Sequence, residues 1–225
     1  KQELATYNLV VVCDPKNDFT GVAEEKEGKV NEIALLNSYL TSSFGNLMVF
    51  LNPETATLPE LLEFLSDEWG ISYKSGTLLK ENAKNTVSSD GYAILGTYST
   101  DKSKAGYSIH SSFSKNGTSA RALFDYAMPL AKTFEQKGNT TVSAVATTSE
   151  GAVEVRGTVT EKAPNTPVML ISDYSKTYNE SNKHAYVLVS GSSYFLNYLS
   201  TNVATQYGNT DLIKGALKKM GNANV

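Results

Sequence analysis

Two residues in this sequence have side chains suited to nucleophilic catalysis, Cys13 and Ser193. Cys13 closes an apolar run over residues 7–13, and ligands of open α/β sheets bind at the carboxyl ends of such strands. Asp14 lies beside it, and a neighbouring negative charge disfavours the thiolate and so raises the pKa of a thiol. The segment after Cys13 also lacks the tight strand-to-helix elbow of a reactive cysteine. We therefore expect Cys13 to be a small buried residue.

Ser193 lies in a segment that only partly matches a nucleophile elbow. The G-x-S-x-G motif needs a second glycine for its strained turn, and Phe195 occupies that position after Gly191. His184 precedes the same predicted strand at its opposite end, too far away to take a proton from Ser193. The sequence therefore favours no catalytic residue. A hydrolase or amidotransferase-like enzyme that uses Cys13 or Ser193 stays the alternative.

Metal and cofactor sites have little support in the sequence. Asp14, Asp18 and Asp173 carry oxygen ligands, but no D-x-D-x-D-G loop brings such residues together. Neither G-x-x-x-x-G-K-[ST] nor G-x-G-x-x-G occurs, so nucleotide and flavin binding have no motif. We expect no metal and no cofactor.

Polar residues follow four of the predicted strands and offer hydroxyls, amides and two carboxylates. If the four strand ends meet, such a set suits a partner's loop, a polar small molecule or a saccharide. The alternative is that these residues only cap the ends of their strands. The candidate binding residues are Asp14, Asn17, Asn52, Glu54, Thr148, Ser149, Ser192 and Tyr194.

Apolar periodicity predicts the elements that would position these residues. The first third alternates strand, helix, strand, helix, strand over residues 7–13, 24–44, 46–51, 57–69 and 71–73. This alternation is typical of an α/β fold with a mostly parallel sheet flanked by helices. We expect an irregular β-rich insertion at about 78–159, with His110 in an alternating, strand-like run. Strands at 168–171 and 185–190 and a helix from Gly208 follow.

Composition restricts the functional classes. The chain has 225 residues and a formal net charge of −3, with no basic stripe, so we expect no nucleic-acid partner. No apolar run approaches the roughly 18 to 20 residues of a membrane span. Because the sequence begins with Lys1, we interpret residues 1–225 as a single domain excised from a longer, membrane-anchored chain.

Several blocks of the sequence resemble one protein family. They include a strand ending in Pro, a long helix followed by glycine, a strand ending in Thr-Ser, and a G-N-x-D-L segment. This pattern is similar to that of GldG-like auxiliary components of ABC-type transport systems associated with gliding motility. The blocks are residues 8–15, 45–53, 58–65, 69–71, 142–149, 186–197 and 208–212.

The resemblance implies a fold, a location and a set of partners. The fold would be flavodoxin-like or glutamine-amidotransferase-like, on the extracytoplasmic face of a bacterial cytoplasmic membrane. The domain would be non-catalytic and would bind an ABC permease and ATPase, or a polar ligand. Besides the enzyme alternative given above, a purely structural envelope component is a further alternative. Ser192 and Tyr194 stand where the family often has two aspartates, so an ionic role at those positions is not expected here.

Overall fold

The computed structural model describes residues 4–54, 57–115, 119–199 and 206–221. Strands β1 to β14, in chain order, are Leu9–Cys13, Asn46–Phe50, Ile71–Tyr73, Leu78–Lys80, Ala93–Leu95, Thr97–Tyr98, Leu123–Asp125, Leu130–Lys132, Gln136–Lys137, Thr140–Thr147, Val153–Arg156, Val159–Lys162, Pro167–Tyr178 and Ser181–Ser190. Helices α1 to α5 are Val22–Lys26, Glu32–Ser42, Pro59–Asp67, Ala105–Ser111 and Asn209–Gly221. Two 3-10 helices cover Leu4–Thr6 and Tyr194–Leu199.

The main sheet has seven strands in the order β1-β2-β14-β13-β10-β6, with β9 beside β10. Only the β1–β2 and β2–β14 pairs are parallel, and the other four pairs are antiparallel. The predicted mostly parallel, flavodoxin-like or glutamine-amidotransferase-like fold is therefore wrong. One cause is the long hairpin of β13 and β14, which continues through most of the segment between the two strands predicted at 168–171 and 185–190. Another is β3, which pairs with β8 in a separate small sheet.

Strand direction places four strand ends along one side of the main sheet. β10 and β14 are both antiparallel to β13, so they run in the same direction as β1 and β2. We call the side where β1, β2, β14 and β10 end the strand-end edge.

Both faces of the main sheet are buried, which explains the continuous apolar run of β2. Successive side chains of a strand point to opposite faces. Leu47 and Val49 accordingly pack with α2 and α3 on one face, while Met48 and Phe50 pack with α4 and α5 on the other. A strand that is buried on both sides needs apolar residues at every position.

The predicted helix over residues 24–44 is divided in two. Gly28 adopts a positive φ of 85°, and the chain then turns before α2 begins. Asn31 caps α2, since its side-chain oxygen accepts a hydrogen bond of 2.8 Å from the Ala34 amide. His110 also differs from its prediction, because it lies in α4 and not in a strand.

Helix α3 is capped by a residue distant in sequence. The Asp18 carboxylate accepts hydrogen bonds from the backbone amides of Glu60, at 2.8 Å, and Leu61, at 3.2 Å. These amides belong to the first turn of α3, whose own N-cap, Leu58, has no side-chain acceptor. Asp18 therefore fixes the loop after β1 against α3.

Candidate functional site

Main-chain hydrogen bonds join the segments that follow β1, β2 and β14. The Asp14 amide donates to the Phe50 carbonyl at 2.8 Å, and the Ser193 amide donates to the Leu51 carbonyl at 2.7 Å. Gly191 approaches the chain so closely that a Cβ would lie 2.2 Å from the Met128 carbonyl oxygen. The backbones of these segments are thus bonded to one another where a crevice between the strand ends was expected.

Three of the predicted binding residues are buried and bonded to the protein itself. Thr148 donates to the Ala163 carbonyl at 3.1 Å and accepts from the Thr166 amide at 2.9 Å. Ser192 donates to the Asp125 carbonyl. Asn52 accepts from the backbone amide of Glu54, the residue predicted beside it. These contacts are those of strand-end caps.

Ser149 is held by a buried carboxylate that the sequence did not single out. Glu81 is only 5% exposed, and its carboxylate accepts hydrogen bonds from the Ser149 amide and hydroxyl, the latter at 2.8 Å. The Asn82 amide, at 3.2 Å, adds a third donor. A single glutamate in a polar segment carries no signal of such a role.

The remaining charged candidates lie at the β1 end of the strand-end edge. Lys16 Nζ lies 2.8 Å from an Asp14 carboxylate oxygen, while Asn17 and Glu54 are exposed. Four strand spacings of about 4.8 Å separate β1 from β10 and three separate β2 from β10, so this group lies roughly 14 to 19 Å from Thr148 and Ser149. The eight predicted residues do not form one pocket.

Neither suggested nucleophile has a histidine beside it. Cys13 is exposed, so its predicted burial is wrong, and its thiol pKa is raised by partial desolvation and then by Asp14. His184 lies at the other end of β14, with Nδ1 2.7 Å from an Asp173 oxygen. His110 is held by the Ser99 carbonyl next to β6, at the opposite side of the main sheet from β1.

The three carboxylates considered as metal ligands do not converge. Asp18 caps α3, Asp173 pairs with His184, and Asp14 pairs with Lys16. Among the described residues, no group of three histidine, cysteine or acidic side chains is arranged to hold a metal ion.

A cluster of tyrosines lies at the strand-end edge, and we call Tyr92, Tyr126 and Tyr194 the tyrosine surface. The Tyr92 and Tyr126 rings stack with centroids 5.6 Å apart and planes at 15°. Tyr194 meets the Tyr126 ring edge-on at 6.0 Å. Tyr126 is 40% exposed and has a positive φ of 47°, a conformation that is costly for a bulky residue. The two half-buried rings of Tyr92 and Tyr194 therefore hold the exposed Tyr126 ring in place.

Secondary structure brings these rings together from distant parts of the chain. Tyr92 precedes β5 and Tyr126 follows β7, and the Tyr126 amide donates to the Tyr92 carbonyl at 3.1 Å. Tyr194 begins the second 3-10 helix. Of these three tyrosines, the sequence analysis named only Tyr194. An aspartate lies next to Tyr126 and two residues before Tyr92, and this recurrence is only a weak sequence signal of a shared site.

A buried amide fixes the supports of the tyrosine surface. Asn209 accepts from the Leu123 amide and donates to the Leu123 carbonyl, both at 2.8 Å, and donates to the Phe195 carbonyl at 3.0 Å. It thereby joins α5 to β7 and to the 3-10 helix that carries Tyr194. This explains the asparagine of the G-N-x-D-L segment as a structural clamp.

Two carboxylates, Asp90 and Asp125, lie beside the tyrosine surface, and Lys80 Nζ lies 5.5 Å from the Tyr92 ring centroid. The negative charge of Asp90, more than burial, raises the pKa of Tyr126. Burial raises the pKa of the Asp125 carboxyl, which accepts a hydrogen bond of 3.1 Å from Tyr198. Burial and Asp125 together raise the pKa of Tyr198 to about 12. Tyr126 and Tyr198 therefore stay protonated at neutral pH beside these two acids.

The fold is similar to that of a solved structure described as "mmIFT52 N-terminal domain". The two share 16% sequence identity and a TM-score of 0.65, over 100% of this chain and 81% of that chain. At this identity the likeness shows the fold alone. No family model matches the sequence, and no curated protein matches it.

These comparisons overturn the family assignment made from sequence. The neighbour is an IFT52 domain, named for intraflagellar transport, and nothing in the comparisons supports a GldG-like component of a gliding-motility ABC system. The predicted role as an ABC-transporter auxiliary protein is therefore wrong, as are its permease and ATPase partners. The blocks that suggested the family are short strand and helix ends, which recur in unrelated folds.

Two further expectations remain predictions. None of the helices in the described residues has the length and apolar character needed to cross a membrane. The extracytoplasmic location and the extent of the single domain are not tested by the fold or by the comparisons.

Proposed function

We propose that this chain is a non-catalytic protein-binding domain of a multi-subunit assembly, and that the tyrosine surface contacts its partner. The observation that carries this proposal is the ring of Tyr126. It is exposed, and its left-handed backbone costs on the order of 1 kcal/mol, yet two neighbouring tyrosines hold it in place. Such strain persists at surfaces where a fixed geometry is used.

The chemistry of the tyrosine surface suits a protein partner. Tyrosine is enriched at the centres of interfaces, because its rigid ring buries a large area and its hydroxyl still forms a hydrogen bond. Asp90 and Asp125 lie next to the rings and add acceptors for donor groups. A partner that places apolar atoms on Tyr126 and donors beside the two acids would match it.

The fold supports the kind of assembly proposed. The structural neighbour is named for intraflagellar transport, and we propose a comparable transport-particle assembly for this chain. The fold likeness carries this part of the proposal, while the tyrosine surface carries the binding site.

Photocrosslinking from the tyrosine surface tests the proposal. A benzoylphenylalanine at position 126 of the full chain, expressed in its own cells, should give one dominant crosslinked partner. The same residue at position 178 is the control, because Tyr178 is 55% exposed but lies at the tip of the β13–β14 hairpin, at the other end of β14. Equal crosslinking from both positions, or none from position 126, would contradict the proposal.

Affinity measurements with the crosslinked partner then test the energetics. Tyr126→Ala should weaken binding at least tenfold, about 1.4 kcal/mol, because central interface tyrosines are common hot spots. Tyr178→Ala should leave the affinity unchanged.

The non-catalytic part of the proposal has its own test at Cys13. Its raised thiol pKa and the distance of both histidines support an unactivated thiol. Alkylation by iodoacetamide at pH 7 should be no faster than that of a free thiol, with Cys13→Ala as the blank. Faster alkylation would favour an enzyme.

A further inference from the structure

Strand β1 is an edge strand of the main sheet, and no strand among the described residues pairs with its outer side. Asn8 accepts from the Asn46 amide, and the Asp14 amide donates to Phe50, so the even-numbered residues face β2. In a strand, the amide and carbonyl of one residue point the same way, and neighbouring residues alternate. The amides and carbonyls of Leu9, Val11 and Cys13 therefore point away from the sheet, and no hydrogen bond to them from that side occurs among the described residues.

The β1 side chains carry none of the features that prevent an edge strand from pairing with another chain. Edge strands usually carry charges, a proline or a bulge that prevents pairing with other chains. β1 reads Leu-Val-Val-Val-Cys, pairs with β2 in unbroken register, and exposes 53% of Val11. Both its backbone and its β-branched composition favour the addition of another strand.

Four other strand edges are covered, short or charged. Asn209 occupies the backbone groups of Leu123 in β7, and the Leu79 amide of β4 donates to Ala127 at 2.8 Å. The opposite end of the main sheet, β6, has only two residues. β12 carries Glu161 and Lys162. The open apolar edge of β1 thus contrasts with edges that the same chain closes.

We infer that the β1 edge binds an extended segment of a partner protein, which adds to the main sheet as an eighth strand. The segment pairs with the three outward amides and carbonyls, and it places apolar side chains beside Val11. This inference does not rest on the tyrosine surface, because its groups and its geometry are separate.

The size of the edge decides between a flexible segment and a second copy of this chain. Five residues extend for about 17 Å, and pairing along that length covers on the order of 300 Å² on each side, below the roughly 800 Å² per partner of a stable interface. Two folded domains joined only there would separate. An extended segment of a partner held elsewhere binds through main-chain hydrogen bonds and needs no larger contact.

Amide hydrogen exchange of the 225-residue chain, with and without a strand-forming peptide, tests the inference. The probe is an eight-residue peptide of alternating threonine and valine with a lysine at each end. Methyl groups on the backbone nitrogens of one side stop it from pairing with itself. In the free chain, the amides of Leu9, Val11 and Cys13 should exchange at least a hundredfold faster than those of Val10 and Val12. The peptide should slow the three outward amides at least tenfold, and a peptide methylated on both sides should not.

A pair of proline substitutions tests the same geometry. Val11→Pro removes an outward amide, so the chain should keep its Tm within a few degrees and lose peptide protection at Leu9 and Cys13. Val12→Pro removes an amide that bonds to β2 and should lower the Tm sharply. Val11→Thr, which keeps the amide and the branched side chain, should still bind.

Three results would overturn the inference. The first is slow exchange of the outward amides in the free chain, which would show that the edge is already paired. The second is a doubled mass in sedimentation that Val11→Pro abolishes, which would show that a second copy occupies it. The third is a lack of protection in a normally folded chain. The outward amides would exchange fast, and no peptide methylated on one side would slow them, even one in which the threonine and valine positions are exchanged.

Discussion

Two regions beside the strand-end edge use polar residues in different ways. Near β10, the side chains of Thr148, Ser149 and Glu81 are turned inward and bond to the protein. Near β7 and the 3-10 helix, Tyr126 stays partly exposed and its neighbours hold its ring in place. We call the first the closed region, in contrast to the tyrosine surface. Polar residues at strand ends therefore indicate a binding site only where the backbone leaves them unused.

Asn209→Ala should have the largest effect, because it removes the clamp beneath the tyrosine surface. It leaves three buried backbone groups of Leu123 and Phe195 without partners, at a cost of about 3 kcal/mol in the free energy of unfolding. Urea unfolding measures the change. Thr210→Val is the matched control, since the buried Thr210 hydroxyl has no partner among the described residues and its loss should change stability by less than about 0.5 kcal/mol. Equal effects of the two substitutions would refute the clamp.

Glu81→Ala tests the closed region. The substitution removes a carboxylate that accepts from the Ser149 amide and hydroxyl, so we expect a loss of about 2 kcal/mol with no change in partner affinity. The control is Glu150→Ala, because Glu150 is exposed and directly follows Ser149. It should lower the free energy of unfolding by less than about 0.5 kcal/mol. Weakened partner binding by Glu81→Ala at full stability would show that the closed region also belongs to the binding site.

Tyr126→Gly and Tyr126→Ala together isolate the backbone strain of the tyrosine surface. Both remove the ring, but only glycine adopts a φ of 47° freely. The glycine variant should therefore be more stable than the alanine variant by about 1 kcal/mol, while both lose partner binding equally. If the two variants unfold at the same urea concentration, Tyr126 is not strained.

Tyr198→Phe should produce the smallest change, and only at high pH. The pKa of Tyr198 is raised to about 12, so between pH 10 and pH 12 the unfolded chain loses this proton while the folded chain keeps it. Stability consequently falls as pH rises through that window, and Tyr198→Phe should make the fall shallower. Unfolding at pH 8, 10 and 11 measures the slope; parallel curves for both proteins would contradict the prediction.

Sequence reasoning succeeded where one segment determines its own structure. The apolar run of β2 and the periodic face of α3 are local patterns, and the structure places both as predicted. The helix over residues 24–44 failed because one glycine and the capping side chain of Asn31 interrupt a pattern that otherwise looks continuous. Caps and positive φ angles outweigh periodicity at such points.

Strand order and the binding surface could not be read from the sequence, because both depend on distant pairs. An apolar run suits a parallel or an antiparallel neighbour equally, so β13 and β14 gave no sign of their direction. Tyr92 and Tyr126 are separated by 34 residues and meet only because β5 pairs with β7. Thr148 and Ser192 look like ligand-binding residues until the backbone groups that satisfy them are known.

The position of β14 between β2 and β13 has a consequence for synthesis of the chain on the ribosome. β2 is complete at Phe50, but the strand that covers its second side is complete only at Ser190, 140 residues later. At about 5 to 20 residues per second, translation leaves the β1–β2 ribbon without that neighbour for roughly 7 to 30 s. The nascent chain must keep the apolar strands β1 and β2 from aggregating for that time. This protein is therefore expected to depend on chaperones early in its life, before any partner is present.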